Sequence, residues 1–505
     1  MTRLGNTSSV SVEPHTPVII GVGQITQRAV SNETFEGRPE PLDLMRDALE
    51  RASTDAGTGR RALDSLDELV AIGSFTWHPR DPALLLAEGL SLKDVRTRLT
   101  PTGGNLPQKL IHESARRIQR GELTTIGVVG AEAMYTRSLA RREGKKVHWT
   151  LQGESVPTPT QLEEDRIPFT KDEYDQGLTL PVEVYPLFEN ARRARLGWTL
   201  DTQRERLGTL WHHFAQVAAK NPYAWLQGEP SAEDIATPSS ANRMVSFPYT
   251  KLLVANLPVD MGAAYIMTSF EHATQLGVAR DSMIFPQCGA DANDHWYVSQ
   301  RPQLDDSPAM RAVWRALRGF GVRAEDLAHI DLYSCFPTVV QSACDVLGID
   351  AFDESRIPTL TGGLTFGGGP GNNYVTHSIA SAVETLRHDP GSQALVTGLG
   401  WFSTKHSWGV YATSPPTQGF QHHDAQSDVD ALATSAFAQL EGDVRIESYT
   451  VSHDREGPRR LVACARDAND VRTWCHSVDP SLMHTAENEE IIGRLAQVRA
   501  GEMFF

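Results

Sequence analysis

The chain has 505 residues, of which 40% are hydrophobic and 22% are charged, and its formal net charge is −16. This length and apolar content predict two to four globular domains with a large core. The acidic balance argues against a nucleic-acid partner, because binding to phosphates depends on clustered Lys and Arg. The five cysteines are odd in number and show no CxxC spacing, which argues against a disulfide framework and a structural zinc site.

Further features predict a cytoplasmic protein without a membrane span. Reduced thiols are typical of the cytoplasm. Residues 1–16 are mostly polar and hold no apolar signal core, so we expect no secretion signal. No apolar run has the length that crosses a bilayer. The C-terminal Glu-Met-Phe-Phe matches no peroxisomal signal of the Ser-Lys-Leu kind.

The first part of the chain alternates between strand and helix patterns. Hydrophobic spacing predicts, in chain order, a strand at Pro17–Gly23, a helix at Pro41–Ala56, a strand at Leu66–Ile72, a helix at Pro107–Arg120 and a strand at Thr125–Gly130. This order predicts a parallel sheet with helical crossovers.

Residues 135–250 depart from that pattern. They contain a Pro/Thr-rich piece at Ser155–Gln161 and a long amphipathic helix around Asp201–Lys220. We expect an insertion that packs over the sheet. A strand at Asp260–Ser269 and a helix at Phe270–Leu276 then resume the alternation.

A second series of elements repeats the same helix–strand–loop–helix–strand plan. Its predicted elements are helices at Met310–Phe320, Thr338–Leu347 and Val375–Arg387, and strands at Ala328–Tyr333, Gln393–Gly398 and Gly409–Ala412. The turn-rich segment Thr413–Gly419 marks a boundary. Beyond it, alternation predicts strands at Val444–Val451, Arg460–Ala465 and Asp470–His476, as in a small β-barrel or sandwich.

The segment Thr361–Asn373 holds six glycines within ten residues. Glycine lets other atoms approach the backbone closely, and such a loop can expose backbone N–H groups that line a site. The loop ends where a helix begins, and anions are favoured at helix N-termini. Asp331–Phe336 and Thr397–Trp401 also follow predicted strands. Three such loops predict an active-site rim of the α/β kind.

Several segments can be compared with known families: Ala115–Glu122 followed by Val128–Met134, Asp260–Ala264, Tyr333–Phe336, Thr361–Pro370 and Gly398–Gly400. Together they resemble the thiolase superfamily, in the branch similar to sterol-carrier-protein-2 thiolases, over roughly residues 15–415. The tail beyond Gly419 is similar to the extra OB-like domain of bacterial thiolase-like proteins.

The resemblance implies an α/β, thiolase-like fold of two similar halves with a helical and loop insertion, plus a small β-rich, OB-like C-terminal domain. It places the first half at 15–134 and 251–280, the loop domain at 135–250, the second half at 281–415 and the additional domain at 419–505.

The departures from the thiolase pattern concern catalytic residues. The acylated cysteine should fall near Gly104, and no cysteine precedes Cys288. Gly369 replaces the histidine of Gly-His-Pro. Tyr333 replaces the His or Asn that opens the second motif, which here is Tyr333–Phe336. Gly398 replaces the cysteine of Cys-x-Gly. Without a nucleophile, acyl transfer through a covalent enzyme cannot run in the usual way.

Two candidate catalytic residues lie in the second motif. The resemblance implies an acid/base role for Cys335, although free cysteines are usually small buried residues. Tyr333 could be an acid, a base or an oxyanion donor, as in thiolase-fold steroid side-chain aldolases. A base role near neutrality needs a large fall from the ordinary tyrosine pKa of ~10. Its alternative role is to pack its ring.

Histidines and loop residues complete the candidate set. His377 and His406 could enter the pocket as catalytic residues or be satisfied core histidines, and Lys405 could meet a phosphate. Asn372 and Asn373 could donate to a thioester oxygen or cap the following helix. The residues expected to contact CoA are Gly368, Gly369, Asn372 and Gly400.

Other patterns predict no further cofactor. Gly21-Val-Gly23 lacks the third glycine of a dinucleotide motif. The pairs His212-His213 and His422-His423 have no further ligands nearby in the sequence, so we expect no metal site. Cations at Arg192, Arg193 and Arg195 could meet a CoA phosphate, but a solvated helix face explains them more simply.

Three functions remain open. The first is a protein of the acetyl-CoA acetyltransferase family that binds or acts on CoA thioesters in lipid or sterol metabolism, with weak or absent thiolase activity. The second is a retro-aldolase that uses Tyr333 on a β-hydroxyacyl-CoA. The third is a non-catalytic partner subunit. We expect no tightly bound cofactor, a CoA thioester as ligand, and a homodimer or a hetero-partner held by the C-terminal domain.

Overall fold

The computed structural model describes residues 12–30, 33–163 and 165–505; most of the segment expected to lack a secretion signal lies outside these ranges. The strands are β1 (Pro17–Thr26), β2 (Glu68–Ala71), β3 (Arg96–Leu99), β4 (Thr125–Ala133), β5 (Thr160–Gln161), β6 (Met244–Ser246), β7 (Tyr249–Thr250), β8 (Asp260–Ser269), β9 (Phe285–Asn293), β10 (Leu327–Asp331), β11 (Gln393–Gly400), β12 (Lys405–Ala412), β13 (Gln421–Asp424), β14 (Gly442–His453), β15 (Pro458–Arg466), β16 (Arg472–Ser477), β17 (Leu495–Arg499) and β18 (Glu502–Phe504).

The helices connect these strands. They are α1 (Pro41–Asp55), α2 (Arg61–Asp64), α3 (Pro82–Gly89), α4 (Leu106–Gln119), α5 (Met134–Arg142), α6 (Lys171–Asp175), α7 (Pro181–Leu196), α8 (Leu200–Lys220), α9 (Ala232–Ala236), α10 (Phe270–Leu276), α11 (Pro308–Gly319), α12 (Pro337–Leu347), α13 (Tyr374–His388), α14 (Gln426–Asp430) and α15 (Pro480–Asn488). None of the helices in the described ranges is long and apolar enough to cross a membrane.

The first sheet has the order β1-β8-β4-β2-β3-β5. Strands β2, β3 and β4 are parallel, whereas β8 runs antiparallel to both β4 and β1. The predicted strand–helix alternation is thus confirmed, and β8 returns to the sheet after the insertion. Helix α1 covers β1, β4 and β8. It buries Leu42, Met45, Leu49 and Ala52, which share one face at helical spacing.

The second sheet has the order β10-β11-β12-β9-β13. Four neighbouring strands correspond between the sheets: β1-β8-β4-β2 in the first and β9-β12-β11-β10 in the second. In each set the first two pairs are antiparallel and the third pair is parallel. The two halves therefore share one four-stranded plan, which confirms the thiolase-like arrangement. Strand β13 lies beyond the predicted end of the second half, yet it pairs in parallel with β9.

Two helices lie between the sheets. Helix α4 of the first half contacts β11, β12 and β9 of the second, and α13 of the second half contacts β1 and β8 of the first. Every residue of α13 from Tyr374 to Val383 is buried. Because both helices are buried on several sides, the loops that lead into them lie at the junction of the halves.

The C-terminal strands form a closed barrel. Strand β14 pairs with β15 on one side and β17 on the other, and β15, β16, β18 and β17 complete the ring. The alternation predicted a small β-barrel or a sandwich, and the structure has the barrel. The insertion hairpin β6–β7 extends the same sheet through β14. Helix α7 also packs on β14, and buried Arg193 pairs with Glu490 at 2.8 Å.

Candidate functional site

The three loops predicted to form a rim meet in the structure. The backbone N–H of Tyr333, just after β10, donates to Thr397 Oγ1 on β11 at 2.8 Å. The N–H of Leu364 in the Gly-rich loop donates to Ser334 Oγ at 3.3 Å. The loop 100–105, which leads into α4, contacts them from the first half, because Gly103 N donates to Asn372 Oδ1 at 2.9 Å.

No side chain fits at position 104, where the thiolase pattern places its nucleophile. A Cβ atom on Gly104 would lie 2.5 Å from Tyr333 Oη and 2.6 Å from the Leu399 carbonyl oxygen. Real Cβ atoms do not approach so closely, so glycine is required here. The phenol of Tyr333 occupies the space that a cysteine side chain would need.

Tyr333 is held as a protonated phenol. Its ring is buried and lies edge-on to Tyr374, with centroids 5.5 Å apart. Burial, with smaller contributions from Cys335 and Tyr374, raises its pKa well above the ordinary value. Within the described residues its hydroxyl forms no hydrogen bond. At neutral pH this group can donate a proton or a hydrogen bond, but it cannot begin as a base.

Cys335 lies beside Tyr333 but is poorly suited to acid/base work. The thiol is buried, and burial raises its pKa to about 12. A thiol with such a pKa is almost fully protonated at neutral pH. The structure therefore brings Cys335 and Tyr333 together as two neutral, protonated groups.

Tyr185 is a residue of this site that the sequence did not single out. It comes from α7 of the insertion and stacks on Phe336 at a centroid distance of 4.4 Å. Its hydroxyl donates to the Trp401 carbonyl oxygen at 2.8 Å and accepts from Ser403 N at 2.8 Å. Burial and then Cys335 raise its pKa well above the ordinary value. Nothing in the sequence near residue 185 indicated this long-range contact.

The two candidate histidines lie in different places. His406 Nε2 is 3.0 Å from the Ser403 carbonyl oxygen, at the turn that Tyr185 also contacts. His377 Nδ1 is 2.9 Å from Gln24 Oε1 on β1, on the side of α13 that faces the first sheet. Burial lowers the pKa of His377 to about 3 and that of His406 to about 4. Both imidazoles are therefore neutral at pH 7.

The Gly-rich loop is buried, not open. All residues from Thr361 to Asn373 are buried. The N–H of Gly368 donates to Gly363 O at 3.3 Å, and that of Gly369 donates to Asn256 O at 3.0 Å. We expected this loop to expose free N–H groups. For these two glycines it does not, because carbonyl oxygens of the loop itself and of the segment that follows the insertion accept from their N–H groups.

Asn372 and Gly400 bind other loops tightly. Asn372 accepts from Gly103 N and donates through Nδ2 to Gly73 O at 2.7 Å. It thereby ties together loops from both halves. A Cβ on Gly400 would lie 2.7 Å from Asn105 Oδ1. Asn373 likewise donates to Gly130 O at 2.6 Å. CoA could contact these groups only where their present bonds leave atoms free.

Glu132, near the end of β4, is a second residue of this site that the sequence did not single out. Its carboxylate accepts from Phe75 N at 2.5 Å, from Thr76 Oγ1 at 2.7 Å and from Ser74 Oγ at 3.0 Å. A Cβ on Gly371 would lie 2.7 Å from Glu132 Oε1. Burial raises the pKa of Glu132 despite these bonds. The sequence signal that could have identified Glu132 is a charged residue near the end of an otherwise apolar strand.

The cations proposed for a CoA phosphate all have acidic partners. Lys405 Nζ is 2.5 Å from Glu163 Oε1, and Lys109 Nζ is 2.5 Å from Glu163 Oε2. Arg192 pairs with Asp345. The expectation that Arg192 and Arg193 lie on a solvated helix face is wrong, because both side chains are buried and anchor α7 to neighbouring elements.

His422 has neighbours that its sequence surroundings do not reveal. His112 on α4 and Asp291 on β9 lie beside it, and the ligand atoms of the three residues lie within 4.8 Å of one another. The His422-His423 pair therefore lacks further ligands nearby in the sequence, but the fold brings two to His422. Folding brings them from 131 and 310 positions away in sequence.

A fold of two halves with this shared strand plan defines the thiolase superfamily. The model of the thiolase-like protein type 1 additional C-terminal domain matches residues 424–503. A solved monomeric SCP2-thiolase-like protein type 1 from Mycobacterium smegmatis is 30% identical with a TM-score of 0.83, over 98% of this chain and 100% of that one. This chain therefore belongs to the SCP2-thiolase-like protein type 1 family.

More distant structures share the fold alone. An Ltp2-ChsH2(DUF35) aldolase is 20% identical with a TM-score of 0.58, over 79% of this chain and 98% of that one. An acetyl-CoA acetyltransferase from Syntrophomonas wolfei is 14% identical with a TM-score of 0.56, over 80% of this chain and 100% of that one. The curated protein sequences gave no match.

Proposed function

We propose that this protein recognises CoA thioesters in a thiolase-type site and does not transfer acyl groups through a cysteine. The observation that supports this is the exclusion of any side chain from position 104 by Tyr333 Oη and Leu399 O. A thiolase needs a thiolate to take the acyl group. Here the position of that sulfur is filled by a phenol with a raised pKa.

The remaining cysteines do not supply a substitute. All five are buried. Burial raises the pKa of Cys288, Cys335 and Cys475 to about 12. Reactive cysteines have lowered pKa values and some exposure, so an acyl-cysteine intermediate is not expected at any of these positions. The family relationship supports the CoA thioester as the ligand class, in lipid or sterol metabolism.

A turnover experiment tests this function. The full-length protein is incubated with acetoacetyl-CoA and CoA, and thiolysis and intact mass are followed together. We expect no thiolysis above the uncatalysed rate and no acetyl adduct on the protein. Calorimetric titration should show saturable binding of acetyl-CoA. An acetylated cysteine would contradict the proposal, and so would failure to bind any CoA thioester.

The second candidate is retro-aldol cleavage of a β-hydroxyacyl-CoA. It is favoured by the hydroxyl of Tyr333, which has no hydrogen-bond partner in the described residues and lies at the position of the missing nucleophile. In such a cleavage the β-hydroxyl gives its proton to water, and the Cα–Cβ bond breaks to release an aldehyde or ketone. The resulting thioester enolate then takes a proton at Cα from a phenol, and the phenolate regains one from water. A protonated phenol is suited to the protonation at Cα, so Tyr333 would act as the acid.

Cleavage assays separate the two candidates. Release of an aldehyde or ketone from a β-hydroxyacyl-CoA, together with acyl-CoA, would support the aldolase. Tyr333→Phe should then lower kcat by at least 100-fold, because general acid catalysis contributes about 10²–10⁴-fold. Tyr174→Phe, at an exposed helix position, is the matched control. CoA binding without either activity is the result that the first proposal expects, and it would also fit the third possibility, a non-catalytic partner subunit whose C-terminal domain or dimer surface holds another chain.

A further inference from the structure

A cluster of two histidines and one aspartate joins three separate parts of the fold. His112 Nδ1 lies 3.1 Å from both carboxylate oxygens of Asp291. His422 Nε2 lies 2.6 Å from Asp291 Oδ2. His112 belongs to α4 of the first half, Asp291 to β9 of the second, and His422 to β13. The cluster is distinct from Tyr333 and Cys335, and the proposed function does not use it.

The backbone is shaped to admit these side chains. A Cβ on Gly289 of β9 would lie 2.2 Å from His112 Nε2, and a Cβ on Gly409 of β12 would lie 2.1 Å from Gln108 Nε2. Two neighbouring strands therefore carry glycine where the ring of His112 and the amide of Gln108 press against the sheet. Glycine in a strand interior often marks such a close approach.

His112 is also supported from behind. Its Nε2 lies 2.9 Å from Gln108 Nε2, and Gln108 Oε1 accepts from the hydroxyl of Tyr411 at 2.7 Å. Metal-binding histidines usually have their second ring nitrogen held by such an outer partner, which fixes the ring and its tautomer. The chain from Tyr411 through Gln108 to His112 takes this form once the Gln108 amide is turned over, so that Oε1 in place of Nε2 faces His112 Nε2.

The cluster faces a cavity of about 330 Å³. Asp424 and Asn293 line the same cavity and offer oxygen atoms beyond the three central side chains. Two imidazole nitrogens and a carboxylate are a donor set typical of zinc and related transition metals. An ion about 2.1 Å from each donor holds those atoms about 3–4 Å apart, and they already lie within 4.8 Å of one another.

We propose that His112, Asp291 and His422 bind a divalent transition-metal ion of the zinc class, with the cavity side left for water or a small ligand. Binding requires a lone pair on His422 Nε2 and another on His112 Nδ1, the two nitrogens that now face Asp291. A neutral His422 supplies its lone pair by carrying its proton on Nδ1. In His112 the proton moves from Nδ1 to Nε2, and Nε2–H then donates to Gln108 Oε1 after the Gln108 amide turns over. The amide NH₂ then donates to the Tyr411 oxygen, so no net proton is released from a neutral His112.

The strand offers its own matched control. Successive residues of a strand point to opposite faces. His422 points toward Asp291, whereas His423 is exposed. His422→Ala and His423→Ala thus remove the same group from adjacent positions, one inside the cluster and one outside it.

The experiment uses full-length, tag-free protein dialysed against a chelator and then against Zn²⁺ or Co²⁺. Equilibrium dialysis with elemental analysis should give about one tightly held ion per chain in the wild type and in His423→Ala. His422→Ala and Asp291→Asn should weaken binding at least tenfold. The Co²⁺ form of the wild type should show the visible absorption typical of a low-symmetry site of nitrogen and oxygen ligands. This measurement does not depend on a variant, which might misfold.

Several results would overturn the proposal. One is an affinity in His422→Ala equal to that of His423→Ala. Another is the absence of a stoichiometric ion and of the Co²⁺ spectrum in the wild type. Preference for Mg²⁺ or Ca²⁺ over Zn²⁺ would refute the stated metal class. In each of these cases the three residues are a hydrogen-bonded ion cluster that fastens α4 to the second sheet.

Discussion

The two halves of the molecule share a four-stranded plan and differ most in one connection. In the second half, β11 passes to β12 through a tight turn at 401–404. In the first half, the equivalent passage from β4 to β8 spans residues 134–259 and contains α5 to α9. The long connection of one half docks on the short turn of the other, because Tyr185 bonds to Trp401 O and Ser403 N.

This comparison separates the shared framework from the segments in which the chain departs from the thiolase pattern. The sheets that hold the site keep their order and direction in both halves. The predicted departures, glycine at 104 and tyrosine at 333, lie in loops, and the insertion places Tyr185 against Phe336 beside them. A rigid framework can carry new side chains at strand ends without refolding.

The largest expected effect comes from breaking the docking of the insertion. Tyr185→Ala removes a buried ring stacked on Phe336 and two hydrogen bonds, and should lower the free energy of unfolding by about 3–5 kcal/mol. Urea unfolding followed by fluorescence and circular dichroism measures this. Tyr174→Ala, an exposed tyrosine of the same insertion, should change it by less than about 0.5 kcal/mol. Equal effects would show that the docking contributes little.

Filling position 104 should also destabilise the junction of the halves. Gly104→Ala places a methyl group 2.5 Å from Tyr333 Oη and 2.6 Å from Leu399 O, and overpacking of this kind costs about 1–3 kcal/mol. Gly319→Ala is the control, since nothing lies within 4 Å of its Cβ position and alanine favours the helix. The same unfolding assay applies. A neutral Gly104→Ala would mean that Tyr333 moves aside freely.

The junction should also weaken in acid through His377. Burial lowers its pKa from 6.5 to about 3 in the folded state. Below pH 6.5 the unfolded chain therefore binds a proton at this residue that the folded chain does not. Stability present above pH 6.5 is lost as the pH falls toward the folded value, by up to ~1.4 kcal/mol per pH unit.

Comparison of variants isolates this contribution. Between pH 6.5 and pH 5, wild type should lose about 2 kcal/mol more than His377→Gln, measured by urea unfolding at each pH. His423→Gln, at an exposed position, should lose as much as wild type. A pH dependence that is the same in all three proteins would refute the assignment.

The smallest expected effect is the absence of alkylation at Cys335 in the native protein. With a pKa of about 12, Cys335 has roughly one thiolate in 10⁴ at pH 8. Iodoacetamide should leave Cys335 unmodified in the native protein and modify all five cysteines in urea, as measured by peptide mass. Rapid native labelling of Cys335 would mean that the loop carrying Tyr333 opens readily.

The sequence predicted the regular elements well. Strands such as Pro17–Gly23 and helices such as Pro41–Ala56 were confirmed because their burial follows periods of two and 3.6 that a local pattern displays. The meeting of the three rim loops was also confirmed. The placement of the missing nucleophile near Gly104 stays a prediction, and the structure adds that a Cβ at this position would lie 2.5 Å from Tyr333 Oη.

What the sequence could not give were contacts between distant segments. Tyr185 and Trp401 are 216 positions apart, and His112 and Asp291 are 179 apart, so no local spacing signals either pair. The Gly-rich loop was expected to be open because glycines free the backbone. In the structure, N–H groups of the loop donate to carbonyl oxygens such as Asn256 O. This pairing depends on how the segment before β8 packs against the loop, which no local pattern shows.

The hairpin β6–β7 has a consequence for how the chain is made. It completes its sheet only with β14, where Phe247 N donates to Val451 O at 2.9 Å. Synthesis proceeds from the N-terminus, so the hairpin leaves the ribosome long before its partner strand exists. Native closure of the insertion must therefore wait for translation of the barrel, and the protein reaches its final form only after its last strands are released.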